Sequence, residues 1–97
     1  MATYIILGNF TEQGVRAVKE TTKRAEALRD MARRAGATVK ETYWTLGAFD
    51  VALIVDAPDE ASITALGLSI GVLGNVRTQT LRAFGPDEMG RILGRMP

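Results

Sequence analysis

The clearest strand-like patterning lies between Tyr43 and Asp56 (YWTLGAFDVALIVD), where two short, mostly apolar runs flank Gly47-Ala48. It predicts a β-hairpin closed between Leu46 and Phe49 by a two-residue turn, with Gly47 at the position where a type II′ turn requires glycine. Such a turn fixes the register: Leu46 opposes Phe49, Thr45 Asp50, Trp44 Val51, Tyr43 Ala52 and Thr42 Leu53. Successive side chains alternate between faces. One face then carries Trp44, Leu46, Phe49, Val51, Leu53 and Val55 and is expected under helices, with Trp44 in the core. The other carries Tyr43, Thr45, Asp50, Ala52 and Ile54, a mixed surface on which function is expected.

The flanking segments follow from their own periodicities. TYIILGNF (3–10) is a short apolar run, expected as a strand buried on both faces. Thr11 suits an N-cap, with Glu12 in the first turn, and a helix is predicted from Glu12 to Ala35, closed by Gly36. Its inner side would carry Val15, Val18, Thr22, Ala25, Leu28 and Ala32, and Thr21-Thr22 marks a point where it can break. Pro58-Asp59-Glu60 starts a second helix with Ile63, Leu66, Ile70 and Leu73 inward, ending at Gly74. NVRTQTLRAF (75–84) reads as a fourth strand. Residues 86–97 form a short helical tail whose Met89, Ile92 and Leu93 are expected to cover an edge or a neighbouring subunit.

The order β-α-β-β-α-β specifies an α+β, ferredoxin-like domain spanning residues 1–97: a four-stranded antiparallel sheet with two helices on one face. The other face is left open. Four strands about 4.8 Å apart and about 20 Å long expose roughly 400 Å² in projection, as large as the largest apolar patch of a typical monomer. A second copy is therefore expected to cover it, giving a dimeric α+β barrel, with further assembly to a hexamer left open.

Composition narrows the chemistry. The chain has 97 residues, 46% hydrophobic and 24% charged, with a formal net charge of +1. That balance suits a single globular domain and gives no general reason for a polyanionic partner. Without Cys or His there is no disulfide, thiolate nucleophile, Ser-His-Asp constellation or imidazole metal ligand. No metal site and no cofactor are expected. MATYIILGNF is too short to span a membrane and lacks a basic leader, so the expectation is a cytoplasmic protein without membrane partners.

Three segments, YIILGNFTEQGVRAVK, TLGAFD followed by APDE, and GNVRTQTLRAF, carry a resemblance to the GYD domain family, whose members are small dimeric α+β barrel proteins. The Gly-Tyr-Asp signature falls here on Gly47, Phe49 and Asp50, with Ala48 between, so the phenol is missing. The resemblance implies the fold and an oligomer, and no activity.

The candidate pocket at the sheet–sheet interface is bounded by Asn9, Tyr43, Thr45 and Asp50, with Arg77 or Arg82 contributing according to which face of the last strand lines it. Asp50 and Tyr43 are the candidate proton handlers. Asp50 also reads as a structural acceptor for backbone amides, Thr45 or an Arg, and that reading is favoured. The basic first helix reads as a solvated face laced by Glu12–Arg16, Glu20–Arg24 and Asp30–Arg34 pairs. Gly67 and Gly71 suggest close packing, since Gly costs a helix about 1 kcal/mol. The leading function is a homo-oligomeric ligand-binding or assembly module. The alternative is a cofactor-independent enzyme of monooxygenase or isomerase type, in which an Arg would stabilise oxyanion charge. Nucleic-acid binding ranks last.

Overall fold

A computed structural model describes residues 1–97. The elements are β1 (Ala2–Phe10), α1 (Glu12–Arg16), a 3₁₀ turn (Val18–Glu20), α2 (Thr21–Arg34), β2 (Thr38–Trp44), β3 (Val51–Ala57), α3 (Glu60–Leu73), β4 (Val76–Ala83) and α4 (Pro86–Leu93). The strands form one antiparallel sheet in the order β2-β3-β1-β4, as a ferredoxin-like domain requires.

Cross-strand pairing sorts the sheet into two faces. Tyr4, Val55 and Arg82 form one row, and Ile6, Leu53 and Thr80 the next. Tyr4, Ile6, Leu53 and Val55 are buried with Ile63, Leu66 and Ile70 of α3 and Ala32 of α2, so this is the helix-covered face. The opposite rows run Glu41–Ile54–Ile5–Leu81 and Tyr43–Ala52–Leu7–Gln79, followed by Asn9–Arg77. Ile5, Leu7, Ala52 and Ile54 are only half-buried. β1 is thus enclosed by its own chain on one face alone.

A β-bulge at Lys40 determines what β2 buries. Strict alternation from Thr42 would turn Lys40 inward and Val39 outward. The register instead slips between Val39 and Glu41, pairing Val39 with Val55. Val39 joins the core and the Lys40 ammonium reaches Asp56 at 3.6 Å. The extra residue re-aims both side chains.

The hairpin keeps its expected pairing at Trp44–Val51, Tyr43–Ala52 and Thr42–Leu53, but not its tight turn. The strands stop at Trp44 and Val51, leaving a six-residue connection in which Gly47 takes φ +99°. It is closed by the Thr45 N–H on the Asp50 carbonyl (2.8 Å) and the Thr45 hydroxyl on the Phe49 carbonyl (2.6 Å). Leu46 consequently points fully into solvent instead of joining the apolar face.

The first helix breaks ahead of Thr21-Thr22. Ala17 leaves helical geometry, and Arg24 donates to the carbonyls of Ala17 (3.1 Å) and Gly14 (3.2 Å), bonding the short turn to α2. Arg24 therefore does not take Glu20, which pairs with Lys23 instead, and Asp30 takes Arg33 in place of Arg34; Glu12–Arg16 forms as expected. Rotation across the break leaves Val15 and Val18 exposed and turns Thr21 inward in place of Thr22. On α3, Asp59 caps the Ser62 N–H (2.8 Å), Gly74 ends the helix at φ +80°, and Leu73 is more than half exposed.

Close packing inside the chain does not account for Gly67 and Gly71. A Cβ at Gly71 would meet nothing within 4 Å, and one at Gly67 only the Thr80 hydroxyl at 4.0 Å. Crowding falls on Gly8 and Gly14. A Cβ at Gly8 would lie 2.6 Å from Val76 Cγ1 and 2.7 Å from Val51 Cγ2. α4 covers no edge of its own sheet: Met89, Ile92 and Leu93 are exposed, and its one ion pair joins Glu88 to Arg82.

Candidate functional site

Five of the six predicted site residues belong to the open face or its upper rim. Asn9 and Arg77 oppose one another across β1 and β4, and Tyr43 lies beside Ala52 at the β2 edge. Thr45 and Asp50 meet in the connection above them. Arg82 is separated from this group. It stands on the helix-covered face, its guanidinium 5.7 Å from the Tyr4 ring and 4.6 Å from the Phe84 ring, and is paired with Glu88. That pairing holds the Glu88 carboxyl below the usual carboxylate range.

The two candidate proton handlers already have partners. Asp50 Oδ2 accepts the Phe10 N–H at 2.9 Å, while the Asp50 N–H donates to the Gly8 carbonyl at 2.9 Å. Its side chain thereby pins the end of β1 to the hairpin, the structural role open to it from the sequence. The Tyr43 hydroxyl donates to the Glu41 carboxylate two residues earlier on the same face. This hydrogen bond, reinforced by the negative charge, raises the phenol above its ordinary pKa. A phenol stabilised in its protonated form is a poor base at neutral pH.

The centre of the open face is apolar. Ile5, Leu7, Ala52, Ile54 and Leu81 form a block flanked by Glu41 and Tyr43 on one side and by Gln79 and Arg77 on the other. An apolar centre inside a polar rim is the anatomy of a protein–protein interface.

Sequence reasoning missed a second feature, a hollow of about 280 Å³ between the sheet and the helices. Leu28 and Met31 of α2, Ile70 of α3, and Ile6, Leu53 and Trp44 of the sheet contribute to its lining. Trp44, expected in the core, does point to the helix side. But β2 is an edge strand with no neighbour beyond it, and Trp44 remains 44% exposed. Its indole N–H donates to the Thr21 hydroxyl at 3.0 Å, tying the strand to the first turn of α2. The signal available in the sequence is Thr21-Thr22, where the helix breaks and α2, which supplies one wall of the hollow, begins. Were the hollow dry and sealed, about 24 cal/mol per Å³ would make it cost roughly 7 kcal/mol, comparable with a whole domain's stability. It is instead open to solvent at one side.

No helix is long and apolar enough to cross a membrane. The structure is similar to the crystal structure of TTHA0845 from Thermus thermophilus, with a TM-score of 0.55 and 23% identity over 88% of this chain and 95% of that one. That likeness shows the fold. In sequence the chain is 32% identical over 85 residues to the glutamine synthetase and cystathionine beta-lyase binding protein of Thermus thermophilus, covering 87% of this chain and 90% of the relative. The GYD domain profile matches residues 4–93, and with near-complete coverage on both counts the chain belongs to the GYD domain family.

Proposed function

We propose that this protein is a non-catalytic binding module that pairs with a second copy through the open face of its sheet and, as a dimer, holds another protein. The observation that carries the reading is the apolar block of Ile5, Leu7, Ala52, Ile54 and Leu81 left uncovered by the chain's own helices. Two such faces packed about 10 Å apart would enclose the block from both sides. Asn9, Tyr43, Thr45, Asp50 and Arg77 then become the polar frame of the interface, where Arg77 and Glu41 offer opposite charges at opposite edges. The second half of the reading is supported by the Thermus relative, whose name describes binding to glutamine synthetase and cystathionine beta-lyase. The enzyme alternative gains nothing from Asp50 and Tyr43, since both are engaged in hydrogen bonds within the chain.

Light scattering on the purified protein tests the pairing. A dimer or a multiple of it is expected at micromolar concentration, with Leu7→Glu giving a folded monomer. A wild-type monomer at that concentration overturns the pairing. Titration with purified glutamine synthetase and cystathionine beta-lyase from the same organism tests the partner class. A saturable complex with either supports it, and a lack of binding to both removes the support drawn from the relative.

A further inference from the structure

We propose that the hollow between the sheet and the helices is a binding site for a small, mostly apolar carboxylate. Size comes first. A cavity of about 150 Å³ holds benzene, so 280 Å³ accommodates about eleven non-hydrogen atoms at the same filling. Twelve of its 17 lining residues are hydrophobic, so water inside finds few partners and an apolar body that displaces it gains affinity.

Charge sets the polar end. Arg24 is the sole charged residue in the lining, and no acid accompanies it. Its Nη1 and Nη2 donate to the Ala17 and Gly14 carbonyls. A guanidinium has five N–H donors, so about three remain for a ligand. Those two carbonyls also fix the head group, sparing the ligand part of the entropy of ordering it. A lone, held, half-buried cation at one side of an apolar hollow favours an anion over a neutral or cationic end group. The site lies on the opposite side of the sheet from the proposed dimer face, so it stands or falls independently of that pairing.

3-Phenylpropionate, with about eleven non-hydrogen atoms, matches that size and is the probe. Trp44 is the single tryptophan and lines the hollow, so its emission reports occupancy directly. Wild-type protein is expected to show a saturable change in Trp44 fluorescence with a Kd on the order of 100 µM, matched by calorimetry. 3-Phenyl-1-propanol should bind about tenfold more weakly, and Arg24→Gln should weaken the acid by about the same factor while leaving the alcohol unchanged. Ala25→Leu fills the hollow from α2 and should abolish binding of both while circular dichroism stays native. Leu28→Ala enlarges it and should shift preference towards 1-naphthaleneacetate. Absence of saturation with either ligand at millimolar concentration overturns the site, as does binding indifferent to Ala25→Leu. Equal affinity for acid and alcohol, or saturation by an apolar peptide and not by the acid, overturns the ligand class.

Discussion

Gly14 is the position where one added methyl group should do most harm. It is buried in α1 against the turn between α3 and β4. A Cβ there would fall inside the van der Waals shell of the Asn75 carbonyl oxygen and 2.9 Å from the carbonyl carbon. That neighbour is backbone and cannot swing away as a side chain could. Relief requires α1 to retreat from the turn, and α1 is held there by specific bonds. The Thr11 N–H donates to the Asn75 carbonyl (3.0 Å) and the Thr11 hydroxyl to the Gly74 carbonyl (2.6 Å). Gln13 Nε2 donates to the Leu73 carbonyl (3.1 Å) and Asn75 Oδ1 (3.0 Å). Losing about three of these at about 1 kcal/mol each, against about 1 kcal/mol gained from alanine's helix propensity, leaves Gly14→Ala destabilised by about 2 kcal/mol. The same substitution at Gly71, where a Cβ meets nothing within 4 Å, should stabilise by about 0.5–1 kcal/mol. Urea unfolding at one fixed protein concentration measures both, because self-association would shift each midpoint. The Gly14 variant should also melt roughly 8–16 °C lower. A Gly14→Ala protein as stable as wild type would refute the close approach. A destabilised Gly71→Ala protein would mean that α3's outer face is covered in solution.

Removing the Asp50 carboxylate with Asp50→Ala should cost about 1.5–3 kcal/mol in urea unfolding, the worth of a charged acceptor on the Phe10 amide. Asp59 and Glu88 are both held below the ordinary carboxylate range, Asp59 by the Ser62 amide it caps and Glu88 by Arg82. A depressed folded-state pKa means their contribution is complete above the unfolded value near ~4 and is lost as pH falls through the folded one. Acid titration of stability should therefore steepen below about pH 4, and Asp59→Asn, which keeps a capping oxygen, should flatten part of that limb. Tyr43 has the opposite sign: its pKa is raised by Glu41, so its contribution holds below the ordinary phenol value and fades as pH rises through the folded one. Glu41→Gln should lower the Tyr43 midpoint in an ultraviolet phenolate titration, and an unchanged midpoint would remove the Glu41 hydrogen bond.

Local sequence determined the elements, because each rests on interactions among near neighbours. The unbroken apolar run of Val51 to Val55, the 3.6-residue recurrence of Ile63, Leu66 and Ile70, the Asp59 cap and the Gly74 stop all act within a few residues. Together they sufficed for the ferredoxin-like order, while the family was legible only as a resemblance carried by three longer segments. Tertiary structure decided the rest. Lys40 is bulged because burying Val39 against Val55 outweighs keeping an unbroken ladder, a comparison between strands that alternation within one strand cannot express. The hairpin connection opened to six residues because Asp50 is drawn to β1, where it satisfies the Phe10 amide 40 residues away in sequence. Arg77 and Arg82, five residues apart on one strand, fall on opposite faces by alternation alone, and only pairing with Asn9 and Tyr4 decides which of them takes the open face. The hollow beside Trp44 exists only where α2, tied to the preceding turn by Arg24 on two carbonyls, meets strands and α3 distant in sequence. Spacing along a chain fixes which side chains share a face; distances between faces belong to the packed molecule.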